Sequence, residues 1–277
     1  MKQKIINFIK MSGAGNDFLV LEAVKGLPLK KLARAMCDRT NGIGADGLLI
    51  LGPSRKAEYR MRIINADGSE AEMCGNGARC LAAYIARYKR EGRGQATFTI
   101  ETLAGILDAE AREEQARVRL SPPSDYRPDI ALMVNKRRVI VQYIDTGVPH
   151  IIIYVDHLKD IDVNRIAPAF RYHKKFMPRG TNVNFVEQLK PGLVGIRTYE
   201  RGVEAETKAC GTGSVAAALV TFMKTHPGDD NITGASMNVL TQSGEVLNVI
   251  FDMARGQFKN VYLKGSAHFI AQGQFFV

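Results

Sequence analysis

The sequence predicts two similar α/β halves in one chain, each presenting a cysteine at the start of a helix. Three observations carry this expectation. The segments EMCGNGARCLAAYIA and KACGTGSVAAALVTF both hold Cys-Gly-X-Gly followed by an alanine-rich apolar stretch of helical spacing. Each follows a strand and an acidic loop: Asp67, Glu70 and Glu72 in the first case, Glu200, Glu204 and Glu206 in the second. Residues 121–128 (SPPSDYRP) hold three prolines, which break regular structure, so they read as a linker. A chain of 277 residues has room for two such domains.

The elements follow in order. Residues 4–10 alternate apolar and polar, a strand signal, before a glycine-rich turn at 12–17 and a strand at 18–21. Leu29, Leu32, Ala33 and Met36 fall on one face of a helix over 29–37. NGIGADG (41–47) is loop, and strands follow at 48–51 and 59–64, the latter ending in the turn Asn65-Ala66-Asp67-Gly68. The helix that Cys74 opens places Leu81, Ala82, Ile85 and Ala86 on one face. Strands are expected at 97–101, 106–110 and 117–120. After the proline-rich stretch come strands at 138–144 and 150–155, a helix at 163–170 with Pro168 in its path, and strands at 182–187 and 193–199. Cys210 opens the second helix, with Val215, Leu219 and Phe222 on one face. Strands at 237–241, 246–251, 261–263 and 268–271 close the chain.

Composition narrows the function. Apolar residues make up 45% and charged residues 24%, a globular balance that excludes disorder and fibrous repeats. Lys and Arg number 38 against 28 Asp and Glu, a formal charge of +10. The basic segments at 87–93, 136–138 and 171–175 are dispersed, with no RNA-recognition aromatic signature and no Trp. They read as a solvated basic surface, not a nucleic-acid face. The apolar stretch at 216–223 is far short of the roughly 18–20 residues that span a bilayer. Lys4, Asn7 and Lys10 interrupt the N-terminal segment, so no signal peptide is expected. The expectation is a cytoplasmic protein without a membrane partner, its four cysteines reduced. No Cys-X-X-Cys and no paired His suggest zinc, so no metal site is expected. The Gly-X-Gly pieces match neither the dinucleotide fingerprint nor a P-loop.

Cys-Gly-X-Gly at a helix start carries chemistry. The first turn of a helix has N–H groups without helical acceptors and a partial positive charge. A thiolate is favoured there, with pKa values of about 3.5–7.5 in known cases. Glycines let the backbone N–H groups approach an anion such as a carboxylate. Two such sites facing each other would grip one carboxylate and set a sulfur on either side of the neighbouring carbon. One thiolate would then remove the α-proton while the opposite thiol delivers a proton to the other face. Oriented N–H groups in a dry cavity would stabilise the developing charge, and no cofactor is required. Cys74 and Cys210 are the candidate pair. Cys37, on a helical apolar stripe, and Cys80, without the glycine context, read as small buried hydrophobes.

With these residues in place the sequence resembles the diaminopimelate epimerase family, cofactor-independent enzymes of lysine and cell-wall precursor synthesis. The matching segments are MSGAGNDF (11–18), GIGADG (42–47), NADGSEAEMCGNGARC (65–80), GVPH (147–150), TNVNF (181–185) and YERGVEAETKACGTG (199–213), in family order over most of the chain. The resemblance implies interconversion of LL- and meso-diaminopimelate by Cys74 and Cys210. It implies a His and a Glu that set the thiol pKa values, on His150 and Glu200, with neither assigned to one thiol. It implies substrate contacts at Asn16, Asn65, Asn182, Glu200 and Arg201, and backbone N–H groups of Gly75, Asn76, Gly211 and Thr212 on the reacting carboxylate. The chemistry agrees. The distal end of a double zwitterion needs a planar donor for its carboxylate, as Arg201 offers, and acceptors for its ammonium, as Glu200 and the Asn carbonyls offer.

The fold implied is α+β, with two pseudo-symmetric halves, each a curved, barrel-like mixed sheet around a central helix. Residues 1–121 with 265–277 would form the half carrying Cys74, and residues 122–264 the half carrying Cys210. A homodimer and closure over a small-molecule substrate are also implied. Three departures stand out. Val148 replaces the Asn that many members have before Pro-His, Gly47 replaces a Gln found in some, and the loop between Arg201 and Lys208 is longer than in some relatives.

Rival readings have distinct marks. Proline- or hydroxyproline-type two-thiol racemases resemble Cys-Gly-His where this chain has Asn76, and lack a need for Arg201. A phenazine-type isomerase lacks the thiol pair. A thiol redox or sulfur-relay protein would cycle Cys74 and Cys210 through a disulfide. A nucleic-acid-binding module would bind salt-sensitively without turnover.

Overall fold

The computed structural model describes residues 5–23, 26–90 and 94–277. Lys4 of the expected first strand and residues 91–93 of the first basic segment lie outside them. The chain divides into two compact units, Met1–Arg119 with Lys264–Val277, and Leu120–Leu263. Among the described residues no helix is long and apolar enough to cross a membrane.

The first unit begins with β1 (Ile5–Gly13) and β2 (Asn16–Glu22), an antiparallel hairpin closed by Ala14 and Gly15, both at positive φ. Helix α1 (Leu29–Cys37) crosses to β3 (Gly47–Gly52), which lies parallel to β2. β4 (Tyr59–Asn65) returns antiparallel and pairs with the two-residue β5 (Glu70–Ala71). Helix α2 (Gly75–Lys89) crosses to β6 (Ala96–Thr102), parallel to β4. β7 (Gly105–Arg112) and β8 (Gln115–Arg119) continue antiparallel. Two parallel pairs in one unit need two crossovers, and α1 and α2 supply them.

Alternation along the strands separates two layers. Leu48, Ile50, Leu19 and Leu21 join Leu32, Ala33, Met36 and Cys37 of α1 in one cluster. Leu49 points the other way, toward α2, where a Cβ at Gly77 would stand 2.9 Å from its Cδ2. Helix α2 is buried around most of its circumference, from Asn76 to Ile85, and packs against β1, β2, β3, β4, β7 and β8. A helix apolar on nearly every side belongs at the centre of its unit, and the strands surround it.

The second unit repeats this connectivity. β9 (Ser124–Val134) and β10 (Arg137–Asp145) are antiparallel, as are β10 and β11 (Pro149–Tyr154). Two short helices, α3 (Val163–Ile166) and α4 (Pro168–Arg171), cross to β12 (Asn182–Lys190), parallel to β11. β13 (Leu193–Glu200) returns antiparallel and pairs with the three-residue β14 (Ala205–Thr207). Helix α5 (Gly211–Thr225) crosses to β15 (Asn231–Leu240), parallel to β13, and β16 (Val246–Ala254) follows antiparallel. α5 is buried from Gly213 to Phe222 and packs against β10, β11, β12, β13, β15 and β16. β17 (Gln257–Ser266) and β18 (His268–Phe276) end the chain, and β18 pairs antiparallel with β1.

Two expectations need correction. Residues 121–128 are not simply a linker: from Ser124 they form the start of β9. Pro128 is tolerated because the β9–β10 register shifts between Arg127 and Ile130. No ladder bond is asked of its missing N–H there. Asp125 and Asp129 take positive φ at this irregularity, and Gln142 bonds Asp129 through both its side-chain O and N. The single helix at 163–170 is two helices. Pro168 is the first residue of the second, where a missing N–H costs nothing. The strands β5 and β14, two and three residues long, are additions to the expected set.

Candidate active site

Both Cys-Gly-X-Gly motifs sit where the repeat in the connectivity places them, after the short strand and at the start of the central helix. Cys74 is the N-cap of α2, with extended backbone (φ −143°, ψ 117°), and its Sγ accepts from the N–H of Gly77 at 3.5 Å. Cys210 is the N-cap of α5, again extended (φ −122°, ψ 113°). Each cap's carbonyl accepts the first helical bond, from Ala78 at 2.8 Å and from Ser214 at 2.9 Å. The N–H groups of Gly75 and Asn76, and of Gly211 and Thr212, therefore precede the helical ladder and have no acceptor within their helices. They form the positive end of the helix dipole next to a sulfur.

The second glycine of each motif does a different job from admitting an anion. At Gly77 a Cβ would meet Leu49 and Phe18, and at Gly213 it would stand 2.6 Å from Oδ1 of Asn184. Both positions let the helix start lie close against strand side chains. Gly13 is similar, since a Cβ there would be 3.1 Å from Sγ of Cys80.

In the first unit a chain of amides supports the start of α2. The fully buried Arg79 donates through Nη2 to Oδ1 of Asn76 at 3.1 Å. Asn76 Nδ2 donates to Oδ1 of Asn16 at 2.7 Å, and Asn16 Nδ2 donates to Oδ2 of Asp46 at 2.8 Å. Asp46 in turn pairs with Arg39 at 2.8 Å. The side chain of Asn76 thus points into the interior, so what it can offer a ligand is its backbone N–H. Asn65 lies at the end of β4 and donates to Oγ of Ser69 at 2.9 Å, holding the turn.

In the second unit His150 is fully buried on β11. Burial, helped by the charge of Arg201, depresses its pKa to about 3. Its Nε2 lies 3.0 Å from Oγ1 of Thr212, and that hydroxyl lies 3.5 Å from Sγ of Cys210. Thr146 donates to the carbonyl of Thr212 at 3.0 Å, fixing the first turn. Asn182 spans the strand ends: Nδ2 donates to the Pro149 carbonyl at 2.9 Å, and Oδ1 accepts from the N–H of Arg201 at 2.8 Å. The Arg201 guanidinium donates to the carbonyl of Arg179 at 2.9 Å. Glu200 ends β13, and burial raises its carboxyl above the ordinary value, opposed by the Thr207 hydroxyl.

The longer loop after Arg201 is clamped by Glu204, which accepts from Arg171 at 2.7 Å, from the Tyr172 hydroxyl at 2.8 Å and from the N–H of Gly202 at 3.1 Å. The other two cysteines are interior. Cys37 is packed under α1 with its thiol pushed up to about 12 by burial, and Cys80 is fully buried in α2. Among the described residues no group of three or more His, Cys, Asp or Glu side chains could hold a metal ion.

Sequence reasoning passed over several of these supports. Asn184, the Thr212 hydroxyl, Arg79 and Asp46 are not among the residues singled out above, and Glu204 figures there only as part of an acidic loop. The signal for Asn184 lay in TNVNF: two Asn at period two on an apolar strand share one face, and a buried polar pair needs partners.

Known proteins resemble this chain over most of its length. The family described as Diaminopimelate epimerase matches residues 8–124 and 142–270. A protein of Aquifex aeolicus named diaminopimelate epimerase is 38% identical over 284 residues, covering 97% of each chain. One of Chlorobaculum tepidum with the same name is 40% identical over 268 residues, covering 95% of this chain and 98% of that one. Solved structures share the fold at lower identity. A Bacillus anthracis phenazine biosynthesis protein of the PhzF family superposes with TM-score 0.75 at 17% identity, over 99% of this chain and 100% of that one. A probable proline racemase of Agrobacterium radiobacter gives 0.71 at 17%, over 98% and 92%. The thiols, the helix starts and these relationships lead to one statement: the chain belongs to the diaminopimelate epimerase family.

Proposed function

We propose that this protein interconverts LL- and meso-diaminopimelate by proton transfer at one α-carbon, with Cys74 and Cys210 as the two catalytic groups. The observation that carries the reading is the duplicated helix cap. Two cysteines occupy the same N-cap position in two units of the same connectivity, each beside N–H groups suited to a carboxylate. One sulfur acts as thiolate base and the other as thiol acid, and the two exchange protonation states in a turnover. The N–H groups of Gly75, Asn76, Gly211 and Thr212 hold the reacting carboxylate and stabilise the charge that develops beside it. Asn16, Asn65, Asn182, Glu200 and Arg201 receive the remaining ammonium and carboxylate groups, and His150 and Glu200 tune the thiols. No cofactor takes part. The family resemblance extends the reading to a homodimer in the cytoplasm; light scattering at twice the chain mass is the expected result for the first.

Incubation with LL-diaminopimelate in deuterated water tests the reading. The expected result is α-deuteration and appearance of the meso isomer with no added pyridoxal phosphate or metal. A protein that is folded and reduced, yet neither exchanges the α-proton nor changes its configuration, refutes it.

A further inference from the structure

We infer that His150 acts on Cys210 through the hydroxyl of Thr212, with Asn184 as the positioning residue that fixes the direction of the relay. The inference rests on the epimerase reading and assigns one of its two thiols a partner.

The direction follows from acceptors that cannot donate. Nδ2 of Asn184 lies 2.9 Å from the carbonyl of Ile151, which can only accept, so that atom is the amide nitrogen. Oδ1 of Asn184 agrees, since it accepts from the Thr198 hydroxyl at 2.9 Å. The second N–H of Nδ2 then meets Nδ1 of His150 at 3.1 Å. Nδ1 must therefore present a lone pair, and the neutral ring carries its proton on Nε2. That N–H donates to Oγ1 of Thr212 at 3.0 Å. The Thr212 hydroxyl is left with its own proton, and Sγ of Cys210 lies 3.5 Å away to receive it. Every donor in the series Asn184, His150, Thr212 points toward the sulfur.

A sulfur that accepts a hydrogen bond is favoured as thiolate. The relay therefore stabilises the charged form of Cys210 without an imidazolium beside it, in keeping with the complete burial of His150. The missing side chain at Gly213 gives Asn184 the space it occupies. At Cys74 the sulfur accepts from the backbone N–H of Gly77.

Three measurements on the full-length protein test this. Thr212→Val keeps the shape and the backbone N–H but removes the hydroxyl. It is expected to lower kcat by about 10- to 100-fold, the scale of one hydrogen bond to a charged group, with KM changed less than about threefold. Thr212→Ser is expected to restore most of the rate. The rate of iodoacetamide alkylation at Cys210, read by peptide mass, is expected to fall with Thr212→Val and return with Thr212→Ser. Long-range ¹H–¹⁵N spectra are expected to show His150 with its proton on Nε2, and to lose that preference in Asn184→Leu. A parent-like rate and alkylation in Thr212→Val, no rescue by Ser, or a proton on Nδ1 in the parent overturns the inference. The alkylation and the spectra read the relay even if the parent protein fails to epimerise diaminopimelate, so the two failures are distinguishable.

Discussion

A Cβ placed on Gly213 would stand 2.6 Å from Oδ1 of Asn184. The glycine at the start of α5 and the asparagine on β12 therefore define one another. Gly213→Ala must push Asn184 away from Ile151, His150 and Thr198 together. The expected outcome is a loss of about 1–3 kcal/mol of stability by overpacking, seen in urea unfolding. Epimerisation is expected to fall by more than that instability explains at assay temperature.

Cys74→Ala and Cys210→Ala separately test the catalytic pair. Each change removes a small side chain at a helix cap and leaves both central helices packed. General acid–base groups contribute about 10²–10⁴ in rate, so epimerisation is expected to drop by at least that range with an unchanged circular dichroism spectrum. Parent-like turnover in either variant would show that its sulfur takes no part.

His150 makes stability depend on pH with a definite sign. Its pKa is about 3 in the folded protein against 6.5 for a free imidazole. The unfolded chain thus binds the extra proton between these values. The contribution of neutral His150 is complete above about pH 6.5 and is lost as pH falls toward 3, by at most about 1.4 kcal/mol per pH unit. Urea unfolding at pH 7 and pH 5 should show a smaller difference for His150→Gln than for the parent. Taking the difference between proteins cancels Glu200, whose raised folded pKa acts in the opposite sense.

The interior amide chain of the first unit gives a further test. Asn76→Ala removes the acceptor that Arg79 meets at 3.1 Å and the donor that holds Asn16. A buried cation deprived of an acceptor is expected to cost about 1–3 kcal/mol. Asn76→Ala retains the backbone N–H at the start of α2, so the loss should appear mainly in unfolding experiments.

Glu204 clamps the loop that follows Arg201. Glu204→Ala frees that loop from Arg171 and Tyr172. Diaminopimelate KM is expected to rise about three- to tenfold, with kcat changed less than twofold, since a side chain that only orders a binding loop affects binding before chemistry. A lowered kcat at unchanged KM would give Glu204 a different role.

Much of this architecture was legible in the residues. Helix α1 begins and ends as its apolar stripe predicts, and Cys-Gly-X-Gly marks both central helices, because amphipathic spacing and capping are local properties. The proline-rich stretch misled because its suitability for β9 depends on a register shift against β10, a non-local fact. β5 and β14 are too short to leave a periodic pattern. The two thiols could be named from their neighbours in sequence. The contacts among Asn184, His150 and Thr212 could not be read there, since these residues meet only when a parallel strand pair and a helix start converge. The glycine at position 47 illustrates the same point. A Cβ there would stand 2.8 Å from the carbonyl of Ile64, so a glutamine at this site would require β3 and β4 to shift.

The pairing of β18 with β1, from Ile5 opposite Phe276 to Ser12 opposite His268, joins the first described strand to the last. A ribosome must release residue 276 before this ladder can close. The segment from 120 to 263 emerges complete while the earlier unit still lacks its final strand. Until then β1 exposes a row of unsatisfied backbone groups to any passing strand, so the interval before β18 arrives is when this edge is open to mispairing.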